Sequence, residues 1–212
     1  MLVAIASEKG GAGKTTLAVL LAEELHRRGV PFVLADGDPQ ASATAVAAAS
    51  AGRIPEAQPV FPAHYQTLAD SGVLVLLDLP SGLRDEFYTA ANLADVFLIP
   101  AAPSVIDLRT LTRTLGVVSR VAESRPGDLR SLIIPVRISG RERASKDLIA
   151  MIKDLGWPTT RARLAERSAY RRAGAGGLGA LPKSTARLAR REVEDLTDEI
   201  IKTLEIELEA TT

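Results

Sequence analysis

Short apolar runs alternate with helical patterns along most of the chain. Apolar runs typical of buried strands lie at 2–6, 31–35, 73–77, 96–100 and 132–137, with a weaker, proline-containing run at 58–61. Between them apolar residues recur at helical spacing, as Leu17, Leu20, Leu21 and Leu25 do before Gly29. Strands that alternate with helices form mostly parallel sheets. The pattern therefore predicts a single α/β domain over residues 1–212, with a mostly parallel, twisted sheet flanked by helices on both faces.

The last part of the chain predicts one more helix, over residues 184–209, packed on that domain. Its apolar side chains lie four or eight residues apart and predict a core-facing stripe: Leu188, Leu196, Ile200, Leu204 and Leu208. The first turns hold several arginines, against the usual preference for acids at a helix N-terminus. A bound phosphate would reverse that penalty. Before this helix, the glycine-rich segment 174–179 predicts a flexible loop.

A glycine turn joins the first strand to the first helix. The stretch at 9–16 is Lys-Gly-Gly-Ala-Gly-Lys-Thr-Thr. Glycines let backbone N–H groups point into a loop without a Cβ clash, and a helix N-terminus favours bound anions. In this strand–turn–helix context we expect Lys14 to reach the β- and γ-phosphates of a nucleotide, and the Thr15 hydroxyl to bind Mg²⁺.

Acidic segments follow two further strands directly. Asp36-Gly37-Asp38-Pro39-Gln40 comes after the strand at 31–35, and Asp78-Leu79-Pro80-Ser81-Gly82 after the strand at 73–77. Open α/β sheets place ligand chemistry at the carboxyl ends of their strands. We therefore expect Asp78 to lie beside Thr15 and its Mg²⁺.

Together these segments resemble the ParA/MinD family of ATPases. The stretch at 9–16, with Glu8 where the usual motif has its first glycine, resembles the family's deviant Walker A motif. The segment at 36–40 resembles Walker A′ (switch I), and the run ending in Asp78 resembles Walker B, with switch II after it. The segment at 103–108 is similar to the family's Pro-Ser-x-x-Asp. The similarity extends over nearly the whole chain and implies a P-loop NTPase fold without a helix-turn-helix domain.

The resemblance also implies roles for individual residues. Lys9 would be the signature lysine, which in the family crosses a dimer interface to the phosphates of the other subunit, and Asp38 would lie near the attacking water. The implied sets are catalytic Lys9, Lys14 and Asp38; cofactor-binding Lys9, Gly10, Gly11, Ala12, Gly13, Lys14, Thr15 and Thr16; and metal-binding Thr15, Asp36, Asp38 and Asp78, with ATP and Mg²⁺ as cofactors.

The net charge of zero conceals an uneven distribution. Residues 109–191 hold 19 basic and 6 acidic side chains, a net charge of +13, whereas residues 1–108 carry −6 and residues 192–212 carry −7. An excess of arginine is typical of surfaces that bind phosphate backbones, and also of solvated helix faces. The predicted DNA-binding arginines are Arg161, Arg163, Arg167, Arg171, Arg172, Arg187, Arg190 and Arg191. The rival interpretation makes the arginines at 187–191 ion-pair partners of the acidic C-terminal helix.

Composition excludes several classes of protein. With no cysteine, the chain has no disulfide and no thiolate metal site, which argues against the iron–sulfur members of the wider family. The sequence contains no run of about 18 apolar residues, so it predicts no membrane span. Its first residues do not resemble a secretion signal. We expect a cytoplasmic, nucleoid-associated protein without a membrane partner.

The resemblance implies a DNA partition protein. Such a protein forms a homodimer around ATP, binds DNA without sequence specificity, and hydrolyses ATP slowly until a ParB-like centromere-binding protein stimulates it. Three alternatives remain at this point: a membrane-cycling ATPase like MinD, a ParA-like protein that positions a protein cargo, and a nucleotide-binding switch that does not hydrolyse ATP. The acidic C-terminal helix disfavours the first.

Overall fold

Seven parallel strands form one sheet, in the order β3-β2-β4-β1-β5-β6-β7. The computed structural model describes residues 1–203, apart from the side chains of residues 105–108. The strands are β1 (Leu2–Ile5), β2 (Phe32–Asp36), β3 (Gln58–Pro59), β4 (Leu74–Asp78), β5 (Val96–Ala101), β6 (Arg130–Ile138) and β7 (Leu164–Ala165). β1 lies between β4 and β5, so the loop after β1 emerges at the centre of the carboxyl edge of the sheet.

Helices cover both faces of this sheet. They are α1 (Lys14–Arg27), α2 (Ser42–Ala49), α3 (Tyr65–Ala69), α4 (Asp85–Leu93), α5 (Val105–Ser124), α6 (Arg143–Leu155), α7 (Ser168–Ala173) and α8 (Lys183–Thr203). One core contains buried residues of α1, α2, α7 and α8, and the other contains buried residues of α3 to α6. Neighbouring strand residues alternate between the two cores, as Val3 and Ala4 do in β1. The predicted α/β fold with a parallel sheet is confirmed.

Several short elements were not predicted. Helices α3, α4 and α7 and the two-residue strand β7 follow no long periodic pattern in the sequence. The predicted apolar stripe of α8 is wrong at Leu188, whose side chain is 51% exposed. The buried stripe instead passes through Ala189, Val193 and Leu196, and Leu188 lies about 100° around the helix from Ala189. Leu204 and Leu208 lie outside the described residues.

The glycine-rich segment at 174–179 is packed against its neighbours, which contradicts the predicted flexible loop. The Glu23 carboxylate of α1 accepts hydrogen bonds from the backbone N–H groups of Leu178 (2.7 Å) and Gly179 (2.5 Å). Glycine is needed here for close approach rather than for flexibility. A Cβ at Gly176 would lie 2.6 Å from the carbonyl oxygen of Ala49.

Within residues 1–203, no helix combines the length and the apolar character needed to cross a bilayer.

The first prediction concerns Glu23. Replacing Glu23 by Gln leaves one side-chain oxygen to accept from two backbone N–H groups. The new NH₂ group is itself a donor, so the second backbone N–H loses its acceptor. An unsatisfied donor of this kind costs about 1–3 kcal/mol. We expect the melting temperature of Glu23→Gln to fall by roughly 2–10 °C, with faster hydrogen exchange at Leu178 and Gly179. The exposed Glu56→Gln is the control. Unchanged exchange at both amides would contradict this role for Glu23.

Candidate functional site

The turn after β1 wraps around the first turn of α1. Gly11 (φ 75°) and Gly13 (φ 97°) adopt left-handed conformations that other residues rarely occupy, and Gly13 is the N-cap of α1. Within the described residues no side chain caps this helix, so its first N–H groups remain available to a ligand. Free N–H groups and the positive end of the helix dipole together favour a bound phosphate.

Lys14 is buried at the start of this helix, with 5% of its surface exposed. Its ammonium group donates a hydrogen bond to the hydroxyl of Ser81, with 2.7 Å between Nζ and Oγ. Burial lowers the pKa of Lys14, while the nearby carboxylates of Asp78 and Asp38 raise it. The ammonium is therefore held between the phosphate loop and the segment after β4, where a phosphate oxygen could take the place of the serine hydroxyl.

Asp36 organises the segment after β2. One carboxylate oxygen accepts a hydrogen bond from the N–H of Asp38 (3.2 Å), and the other accepts from both the N–H (2.8 Å) and the hydroxyl (2.9 Å) of Thr44 in α2. The N-cap of α2, Ala41, has a positive φ of 51° and offers no capping side chain. Asp36 thus caps α2 from a distance and sets the position of Asp38.

Close packing explains the glycine between the two aspartates. A Cβ at Gly37 would lie 2.7 Å from the hydroxyl oxygen of the fully buried Tyr65 and 3.1 Å from the carbonyl oxygen of Asp78. A larger residue would force β2 and β4 apart at the point where both end. Tyr65 was not predicted, because nothing in the local sequence around α3 relates it to this segment.

Asp78 is the most buried charged group of the site. Its exposure is 0%, and neither carboxylate oxygen accepts a hydrogen bond of ordinary geometry, although the Thr15 hydroxyl is near enough to lower its pKa. Burial, with a further contribution from Asp36, raises the pKa of Asp78 from 3.8 to about 7. An unsatisfied buried carboxylate needs a cation or a proton.

These residues fit a Mg²⁺ ion that is held jointly with a nucleotide. Thr15 and Asp78 would supply a hydroxyl and a carboxylate, which are oxygen ligands of the kind Mg²⁺ prefers. In the described part of the chain, no three acidic or histidine side chains are grouped to hold a metal alone. Protein sites for Mg²⁺ commonly use one or two carboxylates, with phosphates and water completing the shell.

Two clefts meet at the phosphate loop. The phosphate cleft, of about 480 Å³, is lined by Gly10, Gly11, Gly13, Lys14, Thr15, Thr16, Asp38, Pro39, Gln40, Pro80, Ser81, Arg84 and Arg137. The side cleft, of about 430 Å³, shares Gly13, Thr16 and Arg137 with it and continues past Val136, Leu164 and Tyr170. The first is mainly polar in its residues and the second is partly apolar, which suits a polyphosphate in one and a planar base in the other.

The structure brings most of the predicted cofactor residues together and separates two of them. Lys9 lies outside the phosphate cleft, where its ammonium group donates to the Ser104 hydroxyl of the same chain (3.3 Å). Ala12 is buried towards β5. Beside Lys9, the Glu8 carboxylate pairs with Arg113 of α5 at 2.9 Å. Three further residues of the site were not predicted as functional. Ser81 lies in the acidic segment at 78–82 but was given no role, and Arg84 and Arg137 lie outside every motif noted in the sequence.

The predicted DNA-binding arginines divide into two groups. Arg167 pairs with Glu192 (2.5 Å) and Arg171 pairs with Glu166, and both arginines line the side cleft. Arg161, Arg163, Arg172, Arg187 and Arg191 are exposed and form no ion pair within the described residues, and Arg190 is half-buried, with a long hydrogen bond to the carbonyl of Leu178.

The acids of α8 have other partners. Arg27, the last residue of α1, pairs with Glu194 (3.1 Å), and Arg28, which follows it, pairs with Asp198 (2.5 Å).

Comparison with known families agrees with this geometry. The model of the CobQ/CobB/MinD/ParA nucleotide-binding domain matches residues 3–180, which include the phosphate loop and both acidic segments. The chain belongs to this family. Its membership in the group that contains the ParA/MinD ATPases confirms the resemblance noted in the sequence.

Individual relatives of this CobQ/CobB/MinD/ParA domain have different roles. The ParA protein of Rhizobium radiobacter is 29% identical over 186 residues, covering 80% of each chain. The maintenance of carboxysome distribution protein A of Gloeobacter kilaueensis is 30% identical over 185 residues, covering 85% of this chain and 83% of its own.

Two solved structures share the fold. MinD of Pyrococcus horikoshii, in complex with Mg-ADP, has a TM-score of 0.74 at 19% identity and covers 97% of both chains. A Cyanothece McdA variant in complex with ATP has a TM-score of 0.69 at 20% identity, with 99% of this chain and 98% of its own covered. Those structures contain the nucleotide and, for MinD, the magnesium expected here from the sequence.

The second prediction concerns the stability of the family domain when it is free of nucleotide and metal. Because the pKa of Asp78 is raised on folding, the folded state holds an extra proton between about pH 4 and pH 7. The free energy of unfolding therefore falls as pH rises through this window, and the penalty is complete above pH 7. Asp78→Asn removes the ionisation, so we expect a gain of roughly 2 kcal/mol or more at pH 8.

Thermal melts from pH 4 to pH 8 test this expectation. The variant should melt higher at pH 8 by about 4 °C or more, and the difference should shrink towards pH 4. The exposed Asp128→Asn is the matched control. A difference that does not change with pH would contradict a raised pKa at Asp78.

Proposed function

We propose that this protein is an ATP-hydrolysing partition protein that dimerises around ATP and Mg²⁺ and binds DNA without sequence specificity. The observation that supports it best is the meeting of three separate segments at one cleft. Lys14 of the phosphate loop, Asp38 after β2 and Ser81 after β4 all line it, and Asp78 is buried beside Lys14. Cation, carboxylate and open helix N-terminus are the parts that phosphoryl transfer requires.

The residues divide the chemistry between them. Lys14 and the N–H groups of the loop bind the phosphates. Thr15 and Asp78 would hold Mg²⁺, which would supply positive charge beside the phosphate oxygens. Asp38 is half-buried, lines the cleft and has one oxygen bound to the N–H of Gln40 (2.9 Å). Its other oxygen is available to orient a water molecule. Asp36 supports Asp38, and a metal-side role for Asp36 remains a prediction.

Lys9 is proposed to act in the dimer. In the single chain its ammonium group lies on Ser104, away from the phosphate cleft. To contact the phosphates of a second subunit, Lys9 has to exchange the Ser104 hydroxyl for phosphate oxygens. The exchange favours the dimer only when ATP is bound, because the phosphates offer a stronger, charged acceptor than the serine hydroxyl.

The proposal of DNA binding is supported by the distribution of charge along α8. The acids Glu194 and Asp198 form their ion pairs with Arg27 and Arg28, and within the described residues Arg187 and Arg191 form none. Both arginines are exposed and line an open groove in which four basic side chains, with Lys183 and Arg190, outnumber two acids, Glu194 and Asp195. A dimer doubles the number of such arginines, so affinity for a phosphate backbone should rise when ATP brings two chains together. A ParB-like partner is proposed to stimulate turnover.

A second candidate function is the positioning of a protein cargo. It is favoured by the match to the carboxysome distribution protein of Gloeobacter kilaueensis, which is as extensive as the match to ParA. The nucleotide chemistry and the DNA binding would be unchanged, and the adaptor protein would differ. Purification of partners with the Asp38→Ala protein in ATP distinguishes the two, since a centromere-binding protein and a cargo adaptor are different captured species.

The third prediction separates binding from hydrolysis. Asp38→Ala should bind ATP with nearly normal affinity and form the dimer, but hydrolyse ATP about 10²-fold or more slowly, because it lacks the group that orients water. Lys14→Ala should lose both binding and hydrolysis. Calorimetric titration and phosphate release measure these two properties. Normal turnover in Asp38→Ala would remove Asp38 from the catalytic set, and normal ATP affinity in Lys14→Ala would refute the phosphate site.

The fourth prediction concerns DNA. Replacing Arg187 and Arg191 by alanine should weaken ATP-dependent binding to any duplex about tenfold, and should reduce the log–log salt slope by roughly one for each arginine replaced. The DNA-free ATPase rate should stay unchanged. The matched control, Arg141→Ala with Arg143→Ala, removes the same charge from the exposed start of α6. A lower melting temperature with unchanged DNA affinity would show that these arginines stabilise the fold instead.

A further inference from the structure

The end of β6 contains a backbone irregularity at Arg137. This arginine has a φ of 55°, in the left-handed region that side chains rarely adopt. The register between β6 and β7 shifts there, since Val136 pairs with Leu164 while Ile138 pairs with Ala165. One residue of β6 is therefore left over between two consecutive pairs, which defines a β-bulge.

The bulge reverses the alternation of the strand. Leu132, Ile134 and Val136 belong to the core under α1 and α8, so regular alternation would direct Ile138 to the same side. Ile138 packs instead against the opposite core. Arg137 is the residue released from the alternation. It is exposed and lines both the phosphate cleft and the side cleft. Bulges beside functional sites commonly redirect a side chain in this way.

A second arginine, Arg84, lines the phosphate cleft and comes from a different part of the chain. Arg84 follows the segment after β4 and lines the phosphate cleft but not the side cleft. Its side chain folds back over Gly82, with Cγ and Nε each 3.5 Å from the place where a Cβ on Gly82 would lie. Because Gly82 has no side chain, the Arg84 side chain can pack over it. Arg84 lines the same cleft as Asp38 and Ser81.

In the part of the chain that the structure describes, no ion pair explains the position of either arginine. Within residues 1–203, Arg84 and Arg137 form no ion pair with a carboxylate, in contrast to Arg167 and Arg113. Backbone strain of the kind seen at Arg137 persists where the surrounding structure imposes it, and such strain is concentrated at functional sites. Two unpaired guanidinium groups at one cleft are suited to several phosphate groups, since each can donate two parallel hydrogen bonds.

We propose that Arg84 and Arg137 bind different parts of the nucleotide's phosphate chain. This inference rests on the proposed binding of ATP in the phosphate cleft. Arg137, where the clefts join, contacts the phosphate next to the nucleoside, which ATP and ADP share. Arg84, beside Asp38 and Ser81, contacts the terminal phosphate of ATP, which ADP lacks. Arg84 is thereby the residue by which the chain distinguishes ATP from ADP.

Paired titrations of the full chain test this division. Calorimetry with Mg²⁺ compares ADP with a non-hydrolysable ATP analogue for the wild type, Arg84→Gln and Arg137→Gln. Glutamine keeps length and polarity and removes the charge. We expect Arg84→Gln to bind the ATP analogue about tenfold or more weakly and ADP within about twofold of the wild type, whereas Arg137→Gln should weaken both ligands by a similar factor of about five or more.

Controls make the outcomes distinct. The exposed Arg141→Gln should leave both affinities unchanged, and melting temperatures should match the wild type, because Arg84 and Arg137 are exposed and unpaired in the described chain. An unchanged ratio of ATP-analogue to ADP affinity in Arg84→Gln would overturn the assignment of Arg84, and a selective effect of Arg137→Gln on one ligand would overturn that of Arg137. A wild-type protein that binds neither nucleotide would instead refute the proposed function, together with this inference.

Discussion

Two carboxylates that stand side by side determine the character of the site. The register of the sheet pairs Asp36 of β2 directly with Asp78 of β4, and both are almost completely buried. Burial is the largest cause of the raised pKa of Asp78, and the neighbouring carboxylate of Asp36 raises this pKa further. Hydrogen bonds from Asp38 and Thr44 stabilise the Asp36 carboxylate. The Asp78 carboxylate accepts no such hydrogen bonds within the described residues. A cation bound beside Asp78 would stabilise the ionised carboxylate and lower its pKa.

The two lysines of the glycine turn donate hydrogen bonds to side chains of the same chain. Lys14 rests on Ser81 and Lys9 on Ser104, both through serine hydroxyls. A hydroxyl is a weaker acceptor for an ammonium group than a phosphate oxygen. Phosphate oxygens are therefore stronger acceptors for Lys9 and Lys14 than the hydroxyls of Ser104 and Ser81. Because Ser81 belongs to the segment after β4, its hydrogen bond joins this segment to the phosphate loop.

The features that the sequence predicts well are those that depend on residues close together in the chain. The glycine turn before Lys14 and the aspartates that end β2 and β4 are local patterns, and the structure brings them to one edge of the sheet. The contacts that were missed join residues far apart in sequence. Glu23 satisfies amides of the loop at 174–179, which looked flexible because its glycines have no visible partner in the sequence.

Two further failures have the same physical origin. Arg137 looks like an ordinary strand residue, since its bulge depends on how β7 pairs with β6, and β7 is too short to produce a pattern. Leu188 was assigned to the core by its spacing from Leu196, yet the face that α8 buries is set by packing against α1 and the sheet. Spacing defines a stripe, but the neighbouring elements decide which stripe is buried.

The two outer strands of the sheet have a consequence for association between chains. β3 contains only Gln58 and Pro59, and proline offers no N–H to a new strand. On the other border, the N–H of Ala165 in β7 already donates to the Glu192 carboxylate at 3.1 Å. Both margins are therefore poor templates for strand addition. Pairing of strands between copies of this chain is therefore disfavoured at both edges of the sheet, so association between copies has to use other surfaces.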